Sequence, residues 1–120
     1  MNANNQGLAD NTQAQWITVC EKSDLPRNAG LCALVNGKQL ALFYSKKLDR
    51  VFAIGNYDPI GKANVLSRGI IGSIGETVVV ASPLYKQHFD LCTGKCLEEP
   101  GVSVPAYPVE VTDDWVRVQA

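Results

Sequence analysis

The sequence contains little of the usual catalytic machinery and has one histidine, His88, among its 120 residues. A nucleophile–base pair needs a histidine beside a cysteine or a serine. His88 instead alternates with the apolar residues Phe89 and Leu91, which is typical of an exposed position on a strand. No glycine-rich loop leads into a helix, so a site for a mononucleotide or dinucleotide is not expected. We therefore expect no catalytic residue in this chain.

Long apolar runs and clusters of basic residues are also missing. No run approaches the roughly 18 apolar residues of a membrane-spanning helix. The first 15 residues contain no lysine or arginine, whereas a secretory signal begins with a basic stretch. The eleven lysines and arginines are scattered, the net charge is −1, and no basic stripe could neutralise nucleic-acid phosphates. We expect a cytoplasmic protein that binds neither a membrane nor a nucleic acid.

The four cysteines are unevenly spaced, which is not typical of a disulfide framework, and in a reducing compartment we expect free thiols. Cys92 and Cys96 have the spacing of half a metal site. A tetrahedral zinc needs a second pair of ligands, and the other cysteines and His88 form none. Because residues 93–94 also read as an ordinary hairpin turn, the alternative is that both cysteines are small packed residues. We expect no metal site here.

Short apolar runs divided by turn residues fill the chain after residue 15. Asn36 and Gly37 separate two such runs, and both tolerate the positive φ of a type I′ hairpin turn. Further turns are predicted over residues 72–75, 93–94 and 113–114. No sustained helical period is present, and at most one helical turn is expected near residue 65. About nine short strands predict an all-β fold, an antiparallel sandwich or small barrel with little helix.

The first 14 residues are polar and without periodicity, and we expect them to be disordered. The remaining residues are enough for one hydrophobic core and leave little room for a second domain. We therefore predict a single β domain over residues 15–120.

Two stretches, residues 52–69 and 80–94, have a layout that resembles the Rieske domain. In that family one loop carries Cys-Pro-His and the other carries Cys-Pro-x-His before a Phe-Asp-Leu-x-Thr-Gly hairpin. The surrounding frame is kept at Pro59, Leu66, Ser67, Gly69, Pro83 and residues 89–91 and 93–94.

The cluster ligands of that frame are not kept. Asp58 and Ile60 stand where the first Cys and His would be, and Ser82 and Tyr85 stand where the second pair would be. A Rieske centre needs two thiolates and two imidazoles, oxygen side chains suit iron–sulfur chemistry poorly, and isoleucine has no lone pair. We interpret these as vacated cluster-ligand positions and expect no cofactor in this chain.

Four stretches, residues 56–59, 65–72, 81–87 and 94–98, go further and resemble the small subunit of the assimilatory NADH-dependent nitrite reductase. The resemblance covers residues 16–119. It implies a Rieske-like fold and assembly with a large subunit that carries FAD, siroheme and iron–sulfur centres. That complex reduces nitrite to ammonium with NADH. The resemblance thus implies a non-catalytic subunit that binds and supports the large catalytic subunit in nitrate and nitrite assimilation.

Two other functions stay open, a Rieske ferredoxin-like electron carrier with atypical ligands and a β domain that binds an unidentified small molecule. In redox-active Rieske proteins the ligand loops meet the electron partner. We therefore expect Ile60, Leu84 and Tyr85 to contact the partner. We also expect Ile60 and Tyr85 to join the two loops by apolar contact, as the cluster does in a ligated Rieske domain. The alternative to an interface role is that these side chains only fill the space of the cluster.

Overall fold

The computed structural model describes residues 15–120, so the segment predicted to be disordered, residues 1–14, lies outside the described residues. Within them lie twelve strands, nine of which have at least three residues, and two short 3-10 helices, Lys22–Asp24 and Leu66–Arg68. Neither helix is long and apolar enough to cross a membrane. The predicted all-β class is confirmed.

The strands form four antiparallel sheets. The strands are β1 (Trp16–Glu21), β2 (Gly30–Val35), β3 (Lys38–Ser45), β4 (Arg50–Gly55), β5 (Tyr57–Asp58), β6 (Ala63–Asn64), β7 (Ile70–Ile74), β8 (Thr77–Ala81), β9 (His88–Asp90), β10 (Ala106–Tyr107), β11 (Val109–Thr112) and β12 (Trp115–Gln119). The central sheet has the order β10-β4-β3-β2. Two three-stranded sheets, β11-β12-β1 and β9-β8-β7, and the pair β5-β6 complete the domain.

The central sheet is covered on both faces, which explains the continuous apolar run in β3. Ala41 and Phe43 face one core cluster, shared with β8 and β9, and Leu40 and Leu42 face a second, shared with β12. Successive strand residues point to opposite faces. Because a core cluster covers each face, all four side chains are fully buried. Ile60, in one of the two loops that the sequence placed in the positions of the Rieske ligand loops, packs against the first cluster.

Two predicted hairpins are confirmed. The turn between β2 and β3 has φ of 51° at Asn36 and 76° at Gly37, and the turn between β11 and β12 has φ of 52° at Asp113 and 68° at Asp114. Positive φ at both central residues is the requirement of a type I′ turn.

The predicted turn over residues 72–75 is wrong. β7 continues through Gly72 to Ile74 and pairs with Thr77 in β8, and the chain reverses at Gly75, whose φ is 62°. A Cβ at Gly72 would meet nothing within 4 Å, so this glycine is an ordinary residue of an exposed edge strand. Only the second glycine supplies the left-handed conformation that the turn needs.

The hairpin predicted over residues 93–94 forms only in part. Its second arm is reduced to isolated bridges, Phe89 with Cys96 and Lys95 with Ser103, because Lys95 pairs with a later segment. Cys92 therefore lies in the turn, where it is exposed, and Cys96 is buried. The alternative that both cysteines are small packed residues therefore holds for Cys96 and is wrong for Cys92.

Candidate functional site

Two loops meet at one end of the domain and together form what we call the tip. The first loop, residues 58–62, follows β4 and lies within the β5–β6 hairpin, and the second, residues 82–87, joins β8 to β9. Each begins with a buried polar residue, Asp58 or Ser82, that is followed by a proline. These are the loops that the sequence placed in the positions of the Rieske ligand loops.

The two loops make the same turn. The N–H of Lys62 donates to the carbonyl oxygen of Asp58 at 2.6 Å, and the N–H of Lys86 donates to the carbonyl oxygen of Ser82 at 3.0 Å. Both lysines adopt a positive φ, 60° for Lys62 and 61° for Lys86. Each loop is thus a single turn closed between residues four apart, an α-turn.

The carboxylate of Asp58 joins the two loops. Its Oδ1 accepts the backbone N–H groups of Ile60 and Gly61 at 2.8 and 3.0 Å, and its Oδ2 accepts the Ser82 hydroxyl at 2.5 Å. Asp58 is fully buried, and a buried carboxylate is tolerated when donors replace its water. Three donors on two loops supply that replacement. We call the contact between the two side chains the Asp58–Ser82 link.

Close packing at Gly61 brings the loops together a second time. A Cβ at Gly61 would overlap Leu84 Cδ1 and would lie 3.0 Å from Asp58 Oδ2. Only a glycine hydrogen leaves room for the Leu84 side chain. The glycine therefore permits a close approach between the loops that a larger residue would change by displacing Leu84.

The structure thus brings together two of the four vacated ligand positions, Asp58 and Ser82. Ile60 is half-buried and packs against the core cluster beneath the tip, whereas Leu84 is 45% exposed and Tyr85 is 64% exposed. From the sequence we expected an apolar contact between Ile60 and Tyr85 to connect the loops. In the structure the Asp58–Ser82 link connects them. The signal for the link was available, because Asp58 and Ser82 are the two residues at thiolate positions.

Asn56 lies two residues before the first loop, and sequence reasoning missed its role. Its Nδ2 donates to Gln39 Oε1 at 3.1 Å and its Oδ1 accepts the N–H of Ser67 at 2.7 Å. Its carbonyl oxygen accepts the N–H of Leu66 at 3.1 Å. This buried residue therefore joins β3 to the second 3-10 helix next to the first loop.

His88 lies on β9, as predicted, and is paired. Its N–H donates to Glu98 Oε1 at 2.8 Å and its Nδ1 lies 2.6 Å from Glu98 Oε2. The backbone N–H of His88, and then its ring, lower the pKa of the Glu98 carboxyl. The pair lies where the second loop enters β9 and holds the segment after Cys96 against that strand.

A groove of about 600 Å³ lies elsewhere on the domain. Residues of β4 and β10 line it together with Leu91 and Cys92. None of its lining residues belongs to the two loops, so the groove is separate from the tip.

Known proteins are similar in sequence to this chain over almost all of the described residues. A family model described as a Rieske-like [2Fe-2S] domain matches residues 15–119. The nitrite reductase (NADH) small subunit of Salmonella typhimurium is 42% identical over 106 residues, which are 88% of this chain and 98% of that protein. The chain belongs to the family of nitrite reductase (NADH) small subunits. The resemblance on which the sequence analysis relied is confirmed.

Two further similarities extend this family assignment. The solution structure of the nitrite reductase [NAD(P)H] small subunit of Erwinia carotovora is 44% identical with a TM-score of 0.74, covering 88% of this chain and 81% of that one. The nitrite reductase [NAD(P)H] large subunit of Klebsiella oxytoca is 39% identical over 103 residues, which are 86% of this chain and 11% of that protein. The same domain therefore occurs in the family as a small subunit and as part of a large one.

The residues at the tip do not fit the [2Fe–2S] cluster that the Rieske-like family implies. Both carboxylate oxygens of Asp58 are engaged in hydrogen bonds, and Ile60 has no donor atom. A Rieske cluster takes thiolate and imidazole ligands, and neither loop contains a cysteine or a histidine. Among residues 15–120, no three His, Cys, Asp or Glu side chains are grouped so that they could hold a metal ion.

Proposed function

We propose that this chain binds and supports the large catalytic subunit of an NADH-dependent nitrite reductase without carrying a cluster of its own. The observation that carries the proposal is the similarity to a segment of the Klebsiella oxytoca large subunit. A domain found as a separate subunit in one protein and within the large chain of another is expected to work in contact with that chain. A covalent connection raises the effective concentration of a contact that separate subunits must make by affinity.

In this proposal the large subunit supplies the chemistry. It carries FAD, siroheme and iron–sulfur centres and reduces nitrite to ammonium with NADH in the cytoplasm, as part of nitrate and nitrite assimilation. This chain supplies a rigid surface. The donor set at the tip supports that division, because Asp58 and Ser82 hydrogen-bond each other instead of offering thiolates to iron.

The proposed contact surface is the tip, with Ile60, Leu84 and Tyr85 at its centre. Leu84 and Tyr85 are the exposed large apolar side chains of the two loops. Interfaces place aromatic and apolar anchors at the centre and polar groups at the rim. The Asp58–Ser82 link and the Leu84–Gly61 contact hold these anchors in place before the partner binds, which lowers the entropy cost of association.

The affinity of purified chain for purified large subunit tests this surface. Tyr85→Glu and Leu84→Glu each place a charge in the proposed apolar contact, and burying that charge weakens binding about 30-fold or more. The matched control is Trp115→Glu, because Trp115 is also a half-exposed aromatic residue. Trp115 lies away from the tip. The N–H of Lys22 donates to the carbonyl oxygen of its neighbour Asp114, and the Lys22 ammonium pairs with Asp49 in the β3–β4 turn, at the end of β4 opposite the tip. Circular dichroism checks that each variant is folded.

Two results would decide against the proposal. If the wild-type chain does not bind the large subunit, the subunit role is wrong. If both glutamate variants are folded and bind as tightly as the wild type, the contact lies elsewhere on the domain.

A further inference from the structure

The tip carries two lysines in corresponding places, Lys62 at the end of the first loop and Lys86 at the end of the second. Both are exposed and both have a positive φ near 60°. The Cβ of a lysine crowds the backbone in this conformation, which glycine adopts freely. The two turns would form more easily with glycine, so the turn geometry does not explain either lysine. Strained backbone of this kind points to a role for the side chain.

The two ammonium groups give the tip a positive charge. Asp58 is the one acidic residue within residues 58–62 and 82–87, and it is buried and hydrogen-bonded. Among the described residues, neither Lys62 nor Lys86 has a carboxylate within ion-pair distance. The chain as a whole has a net charge of −1. The local charge of the tip is therefore opposite in sign to that of the whole chain.

We propose that the tip docks into an apolar pocket of the large subunit whose rim carries carboxylates, with Lys62 and Lys86 facing that rim on either side of Leu84 and Tyr85. This inference rests on the proposed function and names the chemistry of the partner surface. Complementary rim charges steer association and fix the orientation of the two partners. One cation on each loop gives two separate charge contacts with the rim. Two such contacts fix how the domain is rotated on the large subunit about Leu84 and Tyr85.

Charge reversal tests the inference through the dissociation constant and its dependence on salt. Lys62→Glu and Lys86→Glu are each expected to weaken binding to the large subunit about 5- to 20-fold, mainly through a slower association rate. Raising NaCl from about 50 to about 300 mM weakens wild-type binding severalfold, because salt screens the attraction between exposed opposite charges. The same salt does not weaken binding of the Lys62→Glu/Lys86→Glu double variant, because its glutamates are repelled by the carboxylate rim. Lys47→Glu is the control, because Lys47 is an exposed lysine in the β3–β4 turn at the other end of β4.

A zero-length carbodiimide reagent provides an independent readout, since it couples a lysine amine to a carboxylate only where the two touch. In the wild-type complex we expect peptides that join Lys62 or Lys86 to an aspartate or glutamate of the large subunit. Cross-links confined to other lysines would overturn the inference.

The binding results for Tyr85→Glu and for the lysine variants distinguish a failure of this inference from a failure of the proposed function. If Tyr85→Glu weakens binding while both lysine variants and salt leave the affinity unchanged, the acidic rim is wrong and the docking surface stands. If Tyr85→Glu also binds as the wild type does, the docking surface itself is wrong. If the lysine variants retain binding but lose affinity for inorganic phosphate measured on the isolated chain, the cations serve a phosphate group and not a carboxylate rim.

Discussion

At the scale of single residues, Asp58 holds both loops of the tip through its two carboxylate oxygens. Asp58→Ala removes the acceptor of two loop N–H groups and of the Ser82 hydroxyl. Buried donors left without an acceptor carry the full cost of their desolvation. We therefore expect Asp58→Ala to lower the free energy of unfolding by about 2–4 kcal/mol.

Urea denaturation measures this change, and three further variants sharpen it. Asp58→Asn keeps one oxygen acceptor and is expected to cost less. A double-mutant cycle that combines Asp58→Ala with Ser82→Ala measures the coupling between the two side chains. Ser73→Ala is the control for Ser82→Ala, because Ser73 is an exposed serine of β7. If Asp58→Ala unfolds at the same urea concentration as the wild type, the Asp58–Ser82 link contributes nothing to the fold.

The lowered pKa of Glu98 predicts how the free energy of unfolding changes at acid pH. Its pKa is lowered from an ordinary value of 4.5 because it accepts the backbone N–H of His88 and then contacts the His88 ring. A carboxyl whose pKa is lower in the folded state stabilises the fold above its unfolded pKa and loses that contribution as pH falls through the folded value. We expect Glu98→Gln to flatten the decline of the free energy of unfolding between about pH 5 and about pH 3.

The check is a series of urea titrations across that pH range. Glu99→Gln is the charge-matched control, since Glu99 is the exposed neighbour of Glu98 and its side chain makes no hydrogen bond to His88. Parallel pH curves for Glu98→Gln and the wild type would show that the Glu98–His88 contact does not stabilise the folded state.

Part of the site could be predicted from single residues and part could not. The frame around Pro59 and Pro83 identified the ligand positions, and no thiolate or imidazole stands at them. That Asp58 and Ser82 bond each other depends on two loops 24 residues apart being held in contact. Asn56 was missed for the same reason, because its partners come from β3 and from the second 3-10 helix.

At the scale of structural elements, the two turns that end in lysine set stability against function. Lys62→Gly relieves the strain of a positive φ, and we expect it to raise the free energy of unfolding by about 0.5–1 kcal/mol. The same change removes a charge from the tip, so the affinity for the large subunit is expected to fall severalfold. Thermal unfolding and the binding assay measure the two effects.

Lys47→Gly is the control for this prediction. Lys47 does not have a positive φ, so glycine there lowers stability by roughly the usual cost of its backbone freedom, about 0.5–1 kcal/mol. A Lys62→Gly variant that is no more stable than Lys47→Gly would mean that the turn holds no strain at Lys62.

The elements that local sequence predicted are those whose turns have unambiguous chemistry. Asn36-Gly37 and Asp113-Asp114 each place two tolerant residues between two runs of strand residues. The turn after β7 was misplaced because Gly72 and Gly75 lie three residues apart and only one of them takes a positive φ. The pairing of β10 with β4 joins segments about 50 residues apart, and no local signal reveals such a contact.

At the scale of the whole molecule, we expect the domain to fold without metal or disulfide. Two core clusters cover both faces of the central sheet, and the cysteines are free. The purified chain should therefore contain no iron, and its thermal midpoint should be unchanged by a chelator and a reductant. Iron analysis that finds about two atoms per chain would instead favour the ferredoxin-like electron carrier.

The proposed partnership with the large subunit underlies every binding prediction above, and one measurement tests it directly. The chain is tagged at its own chromosomal locus, purified under mild conditions from cells grown on nitrite, and its partners are identified by mass spectrometry. We expect the large subunit of nitrite reductase in near-stoichiometric amount, with NADH oxidation that depends on nitrite in the same fraction. A chain that purifies alone, or with other proteins and without the large subunit, would contradict the account.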